Sequence, residues 1–118
     1  ERKKSLHGAR ILLLGIAYKK NIDDMRESPW VPHLELLTEK GAIVSYSDPY
    51  VPEFPKMRNY YFDLKSVNPS DEVVANMDCV LIATDHDVFD YASIRDNASL
   101  IVDTRGRYRQ HFHNVIKS

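Results

Sequence analysis

The sequence of 118 residues holds little of what several common protein classes require. Its single cysteine, Cys79, excludes a disulfide framework, a Cys-x-x-Cys motif and a cysteine-based zinc site. No run approaches the ~20 apolar residues of a membrane helix, and no signal-peptide pattern is present. Sixteen basic and seventeen acidic residues give a net charge of −1, which leaves no positive excess for a run of phosphates. We therefore expect no nucleic-acid or membrane partner, no metal site, and a cytoplasmic protein.

The composition is that of an ordinary globular domain, with 43% apolar and 28% charged residues. A chain of this length buries about two-thirds of its extended surface, which is enough core for one domain without metal or disulfides. The first residue is Glu1 rather than Met, so we expect a piece of a longer protein. In this interpretation residues 1–8 are a polar linker from an upstream helix, and residues 9–118 form the domain.

Apolar runs at 9–14, 42–47, 78–83 and 99–103 predict four strands, and 114–117 suggests a short edge strand. Continuous rather than alternating apolar runs are typical of strands that are covered on both faces. Between them we predict one helix that begins at Ser28-Pro29 and ends at Lys40-Gly41, with an apolar face formed by Leu34, Leu36 and Leu37. Shorter helices are predicted near 70–76 and 91–96. Strands that alternate with helices predict a three-layer α/β domain with a mostly parallel sheet.

Polar segments follow three of the predicted strands, at 17–20, 84–86 and 104–105. Ligands of open parallel sheets bind beyond the carboxyl ends of the strands, so the three segments are expected to form one rim. The loop after Gly15 fails the Gly-x-Gly-x-x-Gly dinucleotide fingerprint, because Ala17 and Lys20 stand where glycines are needed. Phosphate recognition would therefore pass to side chains, with Lys19 and Lys20 as point charges and Arg105 as a planar fork.

Two interpretations of Asp48 stay open at this point. It ends the second predicted strand, where an acid that binds ribose would lie in a dinucleotide fold. It also precedes Pro49, and an acid in that position is typical of a turn.

Residues 15–29, GIAYKKNIDDMRESP, resemble the G-x-A-Y-K-K-x-x-x-D-x-R-E-S-P signature of the UDP-glucose/GDP-mannose dehydrogenase family. Later segments match the family in the same order, at 48–51, 83–89 and 102–105. The likeness runs from about Gly8 to Lys117 and is closest to the C-terminal, UDP-binding domain. Within the family, the Asp-His-x-x-Phe-Asp-Tyr sequence of residues 85–91 looks most like the UDP-N-acetylglucosamine 6-dehydrogenase branch.

The resemblance implies a Rossmann-like domain that closes over a UDP-sugar in a homodimeric enzyme. An N-terminal domain, absent here, would bind NAD. The full enzyme oxidises the C6 alcohol of the sugar to a carboxylate in two NAD-dependent steps, through a cysteine thiohemiacetal and thioester. That cysteine lies in a Gly-Gly-x-Cys segment, which nothing in this sequence matches, so this piece is expected to be inactive alone and to bind no NAD.

The resemblance also assigns binding residues, while no catalytic residue is expected. Tyr18, Lys19 and Arg105 are expected to contact the UDP moiety, and Lys20 is a possible supporting residue. Family members often have Asn after the Thr-Arg pair, whereas this sequence has Gly106. Arg26 and Glu27 either contact the ligand in support or form an ion pair that braces the loop at the helix N-terminus.

Other chemistry-bearing residues also have two interpretations. Cys79 is a nucleophile or, inside an apolar strand, a small buried hydrophobe with a raised pKa. His86 is a base between two acids or a loop histidine, and His111 and His113 are half of a metal site or surface residues. For the whole chain, the alternative to a dehydrogenase domain is a stand-alone α/β nucleotide-binding or interaction module.

Overall fold

The computed structural model of the protein describes residues 7–17, 30–53 and 65–117. These ranges contain five strands and three helices, in an order that follows the predicted alternation. The elements are β1 (Arg10–Leu14), α1 (Trp30–Glu39), β2 (Ile43–Ser47), α2 (Asp71–Ala75), β3 (Cys79–Ile82), α3 (Tyr91–Asn97), β4 (Ile101–Asp103) and β5 (Val115–Lys117). No helix within these ranges combines the length and the apolar character needed to cross a bilayer.

The five strands form one sheet in the order β2-β1-β3-β4-β5, and every pair in it is parallel. β1 lies in the middle, where Leu12 is in register with Ser45 of β2 and Val80 of β3. The chain moves outward from β1 to β2, then returns past β1 to build β3, β4 and β5. The strand order therefore reverses between β1 and β3. Ligands of such sheets bind beside this reversal, the switch point of the sheet.

Alternate residues of β1 supply two separate cores, which makes the domain three-layered. Leu12 and Leu14 pack with Val74 of α2 and Ile94 of α3 on one face of the sheet. Leu13 packs with Leu34 of α1 on the other face. Because both faces are covered, β1 needs apolar side chains at consecutive positions. The predicted Rossmann-like α/β class is confirmed.

The C-terminus of α1 has the predicted glycine stop. Gly41 has a φ of +89°, and its N–H donates to Thr38 O at 3.0 Å, while Ala42 N–H donates to Leu37 O at 3.1 Å. This pair of bonds is the Schellman arrangement, which satisfies the last carbonyls of a helix.

The prediction that Leu36 belongs to the apolar face of α1 is wrong, because its side chain is 50% exposed while Leu34 is buried. The predicted start at Ser28-Pro29 lies outside the described residues.

Side-chain caps explain where the two shorter helices begin. The Ser70 hydroxyl accepts the N–H of Val73 at the start of α2, and the Asp90 carboxylate accepts the N–H of Ser93 at the start of α3. Each cap satisfies an N–H that has no partner inside its helix. The suggested edge strand is also present, since β5 pairs in parallel with β4. These elements place the turns that follow β1, β2, β3 and β4 at one edge of the sheet.

Candidate functional site

Two threonine hydroxyls join neighbouring strands at the carboxyl edge of the sheet. Thr84, after β3, donates its hydroxyl to Ala17 O at 2.6 Å, across the switch point from β1. Thr104, after β4, donates its hydroxyl to Ile82 O at 2.7 Å. The described parts of the three predicted polar segments therefore lie together, as the sequence suggested. The rim is a real feature of the fold and not only an inference from strand patterns.

Asp48 holds this edge together at the switch point. Its buried carboxylate oxygen Oδ2 accepts the N–H of Ile16 at 2.8 Å and of Ala17 at 3.1 Å. The same oxygen accepts a hydrogen bond from His86 Nε2 at 2.9 Å. Burial by itself raises the pKa of the Asp48 carboxyl, but the bonds from His86 and the two amides outweigh burial and hold the pKa below its usual value. Asp48 is therefore an ionised group that bridges the turns after β1 and β3.

The two interpretations of Asp48 are separated by the remaining carboxylate oxygen. Oδ1 accepts the N–H of Tyr50 at 2.9 Å, which is the two-residue spacing of an Asx turn. Both oxygens are thus used by the protein, and the side chain is fully buried. The geometry is that of the turn, and it leaves no oxygen facing a ribose.

His86 is a buried structural residue rather than a base on the rim. It has no solvent exposure, and its ring lies 4.7 Å from Tyr50 and 5.8 Å from Phe89, measured between ring centroids. Because the Asp48 carboxylate can only accept, His86 Nε2 carries the proton that joins them. Its contact with Asp48 ties the turn after β3 to the turn after β2.

The close approach at the switch point requires glycine at position 15. Gly15 has a φ of +80°, and a Cβ added there would lie 2.7 Å from Thr84 Cβ and closer still to Thr84 O. No L side chain is comfortable at this φ, and contacts that short force a displacement. Gly15 therefore serves strand packing here, while the neighbouring amides of Ile16 and Ala17 point to Asp48 and not to a phosphate.

The turn after β4 is fixed by a second buried carboxylate. Asp103 accepts the N–H of Arg105 through Oδ1 at 3.0 Å and the N–H of Tyr108 through Oδ2 at 2.8 Å. Gly106 within this turn has a φ of +71°. Glycine adopts this left-handed conformation more readily than any other residue, so glycine suits this position. Asp103 thereby orients the predicted binding residue, Arg105.

Two arginines share the carboxylate of Asp85 on the rim. Arg107 donates to Asp87 Oδ1 at 2.8 Å and to the Asp85 backbone oxygen at 3.1 Å, and it lies 3.6 Å from Asp85 Oδ2. The hydrogen bond to Asp87 raises the pKa of Arg107. Arg105 Nε lies 3.6 Å from Asp85 Oδ1, and its side chain is 43% exposed. Arg105 is thus aligned by a carboxylate but keeps a guanidinium that can bind an anion.

Near this edge, the described residues line two cavities. One, of about 440 Å³, is lined by Asp85, Gly106 and three arginines at 105, 107 and 109. The other, of about 550 Å³, lies beyond β2 and is lined in part by Pro52, Val67, Val88 and Phe89. The first has the charge that an anionic ligand requires, whereas the second is mostly apolar.

Arg107 and Asp103 are not among the predicted site residues, and Asp85 was predicted only as part of the polar segment 84–86. An Arg-x-Arg-x-Arg alternation over residues 105–109 was the available signal for the basic cleft. The buried acids gave no such signal, since their role depends on which backbone N–H groups lie next to them in three dimensions.

The remaining predicted site residues lie where the structure makes no statement. Tyr18, Lys19, Lys20, Arg26 and Glu27 are all outside the described residues. Their assignment to UDP binding stays a prediction.

The other candidate groups have ordinary structural roles. Cys79 is partly buried in β3, and burial, with a smaller contribution from the charge of Asp78, raises its pKa to about 11. A thiol with this pKa is a poor nucleophile, as the strand interpretation predicted. His111 and His113 are exposed. Within residues 7–17, 30–53 and 65–117, no group of three or more His, Cys, Asp or Glu side chains is arranged to hold a metal ion.

Comparison with known proteins covers most of the chain. The model of the UDP-glucose/GDP-mannose dehydrogenase family, UDP binding domain, matches residues 12–110. The UDP-N-acetyl-D-mannosamine dehydrogenase of Methanococcus maripaludis is 35% identical over 88 residues, which cover 75% of this chain and 18% of that protein. The UDP-glucose 6-dehydrogenase AglM of Haloferax volcanii is 36% identical over 84 residues, which cover 71% of this chain and 19% of that protein.

A solved structure gives the same answer for the fold. The UDP-D-ManNAc dehydrogenase of Pyrococcus horikoshii superposes with a TM-score of 0.70 at 26% identity, covering 96% of this chain and 25% of that chain. The chain thus spans a quarter or less of the length of these relatives. The family match extends over most of the domain whose rim is described above. The chain belongs to the UDP-glucose/GDP-mannose dehydrogenase family and corresponds to its UDP binding domain.

Proposed function

We propose that this chain binds the UDP part of a UDP-sugar, as one domain of an NAD-dependent nucleotide-sugar 6-dehydrogenase. Besides family membership, one observation carries the proposal: Arg105 presents a half-exposed guanidinium at the end of β4, beside the β1–β3 switch point. A planar guanidinium pairs with phosphate through two parallel hydrogen bonds. Tyr18 and Lys19, which follow β1 in the sequence, complete the UDP contacts in this proposal, and Lys20, Arg26 and Glu27 support them.

The residues of this domain bind and orient, and the chemistry occurs elsewhere in the parent enzyme. There the sugar C6 alcohol is oxidised to a carboxylate in two steps, and NAD accepts the hydrides. The described residues do not fit NAD, because the amides of Ile16 and Ala17, which would face a pyrophosphate in a dinucleotide site, are bonded to Asp48. Cys79 is equally unsuited to act as the nucleophile, since its pKa of about 11 keeps it protonated.

The domain boundaries, assembly and location belong to the same proposal. Residues 1–8 lead in from an upstream helix, and residues 9–118 form the UDP-sugar-binding domain. The parent enzyme is a cytoplasmic homodimer. Its substrate is a UDP-sugar. The sequence of residues 85–91 favours an N-acetylated sugar such as UDP-N-acetylglucosamine over UDP-glucose.

Calorimetric titration of the 118-residue chain with UDP, UDP-N-acetylglucosamine and NAD tests the binding proposal. We expect both UDP compounds to bind, and the Arg105→Ala variant to bind UDP roughly 10- to 150-fold more weakly, since a charged hydrogen bond contributes ~1.5–3 kcal/mol. Arg10→Ala is the matched control: it removes the same charge from an exposed position at the opposite end of β1. Equal UDP curves for the Arg105 and Arg10 variants would refute the assignment.

The division of labour needs a separate measurement. The chain is incubated with UDP-sugar and NAD, and NADH absorbance is followed. We expect no NADH, because neither the nucleophile nor the NAD site is in this piece. Turnover by the 118-residue chain would contradict this, and competition between UDP and NAD for one site would contradict the exclusion of NAD. UDP binding without any link to a dehydrogenase chain upstream would instead favour the stand-alone module.

A further inference from the structure

Three arginines alternate along the turn after β4, at positions 105, 107 and 109, and all three line one cleft of about 440 Å³. Between them, Tyr108 is buried and its N–H is bonded to Asp103. The side chains of Arg105 and Arg109 are exposed, and that of Arg107 is partly exposed. This turn therefore gathers the positive charge in one cleft.

The three guanidinium groups are not equally occupied. Arg107 is fixed by its 2.8 Å bond to Asp87, by the Asp85 backbone oxygen, and by the Tyr91 ring, whose centroid lies 4.5 Å from Arg107 Cζ. Among the described residues, the Arg105 guanidinium has a single ion-pair contact, the 3.6 Å approach to Asp85. Arg109 is exposed and makes no ion pair with any residue that the structure describes. Arg105 and Arg109 can therefore donate hydrogen bonds to an anionic ligand.

The charge balance of the cleft points to a ligand with two negative groups. Its lining holds three arginines and a single carboxylate, Asp85, which Arg105 and Arg107 share. A second carboxylate, Asp87, is already paired with Arg107. A cleft lined mostly by charges of one sign concentrates its field and attracts counter-charge. A ligand with two phosphate groups offers one acceptor group to Arg105 and one to Arg109.

We propose that Arg105 and Arg109 together bind the diphosphate of the nucleotide, with Arg109 as a contact for the second phosphate. The inference rests on the proposed function, because it names which part of the UDP-sugar the cleft receives. Arg109 stands four residues beyond Arg105, within the matched residues 12–110 but after the motif segment at 102–105. It makes this domain selective for nucleoside diphosphates over monophosphates.

The test compares UDP with UMP by calorimetric titration of the wild type, Arg109→Ala and Arg10→Ala. We expect Arg109→Ala to weaken UDP binding by about 10-fold and to leave UMP binding unchanged, because UMP lacks the second phosphate. Arg10→Ala should bind both nucleotides like the wild type. The inference is overturned if the Arg109 and Arg10 variants bind UDP equally well, or if UMP is weakened as much as UDP. Thermal unfolding of each variant shows that the exposed substitutions leave the fold intact.

A separate arm keeps this inference distinct from the proposed function. If the wild type does not bind UDP, the proposed function fails, and inorganic pyrophosphate then decides the role of the cleft. Pyrophosphate binding by the wild type that is lost in Arg109→Ala supports a diphosphate site. Pyrophosphate binding that is absent from the wild type, or unchanged in the variant, overturns it.

Discussion

The carboxylate of Asp48 and the imidazole of His86 meet at 2.9 Å, and both side chains are fully buried. Asp48 follows β2 and His86 follows β3, while the amides that share the carboxylate, those of Ile16 and Ala17, follow β1. One ionised group therefore joins the carboxyl ends of three neighbouring strands at the switch point. A buried charge is tolerated when hydrogen bonds replace its hydration, and Asp48 accepts four.

Replacing Asp48 by Asn should destabilise the domain although the side chain keeps its size. The amide group has one oxygen instead of two, so an NH₂ would have to face an N–H donor or leave it without an acceptor. A buried donor without a partner costs ~1–3 kcal/mol, and more when a charged partner is lost. We expect the free energy of unfolding in urea to fall by at least this amount.

Asp96→Asn is the control for the loss of one negative charge. Asp96 is 65% exposed and pairs with Arg95 on the surface, so its contribution is expected to be about 0–1 kcal/mol. Equal stability losses for the two variants would mean that burial and hydrogen bonding of Asp48 do not matter.

The pKa of Asp48 gives the acid stability a definite sign. Burial raises this pKa, but the bonds from His86 and the two amides lower it below its ordinary value of 3.8. A carboxyl with a lower pKa in the folded than in the unfolded chain stabilises fully above the unfolded value, and this stabilisation is lost as the pH falls through the folded value. The stability difference between the wild type and Asp48→Asn should shrink progressively as the pH falls below about 5. Urea unfolding at intervals of pH measures it, and a difference that grows on acidification would contradict the assignment.

Alanine substitutions at Gly15 and Gly106 distinguish the cost of backbone strain from the cost of steric contact. Both have a positive φ, but a Cβ at Gly15 would lie 2.7 Å from Thr84 Cβ, whereas a Cβ at Gly106 meets no heavy atom of the described residues within 4 Å. Gly106→Ala should cost about 1–2 kcal/mol of strain. Gly15→Ala adds an overpacking cost of about 1–3 kcal/mol. Thermal unfolding measures both variants, and a Gly15 variant as stable as the Gly106 variant would show that β1 and β3 are not in close contact.

The single thiol of Cys79 reports on the burial of β3. Burial, with a smaller effect of Asp78, raises its pKa from 9.0 to about 11. Two pKa units reduce the thiolate fraction at pH 8 about 100-fold, so alkylation by iodoacetamide should be slower by that factor in the native protein than in urea. Mass spectrometry of timed samples measures the two rates. Equal rates would mean that β3 does not shield the thiol.

Strands and helix ends could be predicted because their signals are local. The run from Ile11 to Leu14 is apolar at consecutive positions, and this pattern is typical of a strand covered on both faces. Gly41 stops α1 through a conformation that glycine adopts at little cost. Leu36 was assigned to the wrong face because an apolar residue at helical spacing does not reveal which side of the helix the sheet covers.

The site was predictable only in part. The family signature and the position of Arg105 after a strand located the rim, and the structure brings its described segments together. Two features could be seen only in the tertiary structure. Asp48 is a charge that bridges three turns, and Arg107 is the partner of both Asp85 and Asp87. Each depends on contacts between residues that are 20 to 38 positions apart in the chain.

The sequence by itself determined the class of the fold and the family, and it predicted the edge of the sheet at which a ligand is expected, because hydrophobic runs, glycines and a motif are local features. Only the tertiary structure decided which charges are available there. Strand order places Asp48 beside His86 and the amides that follow β1, so the Asp48 carboxylate is hydrogen-bonded within the protein. The turn after β4 commits Arg107 to two acids and leaves Arg105 and Arg109 facing the cleft, because pairing between distant residues follows from packing and not from sequence spacing.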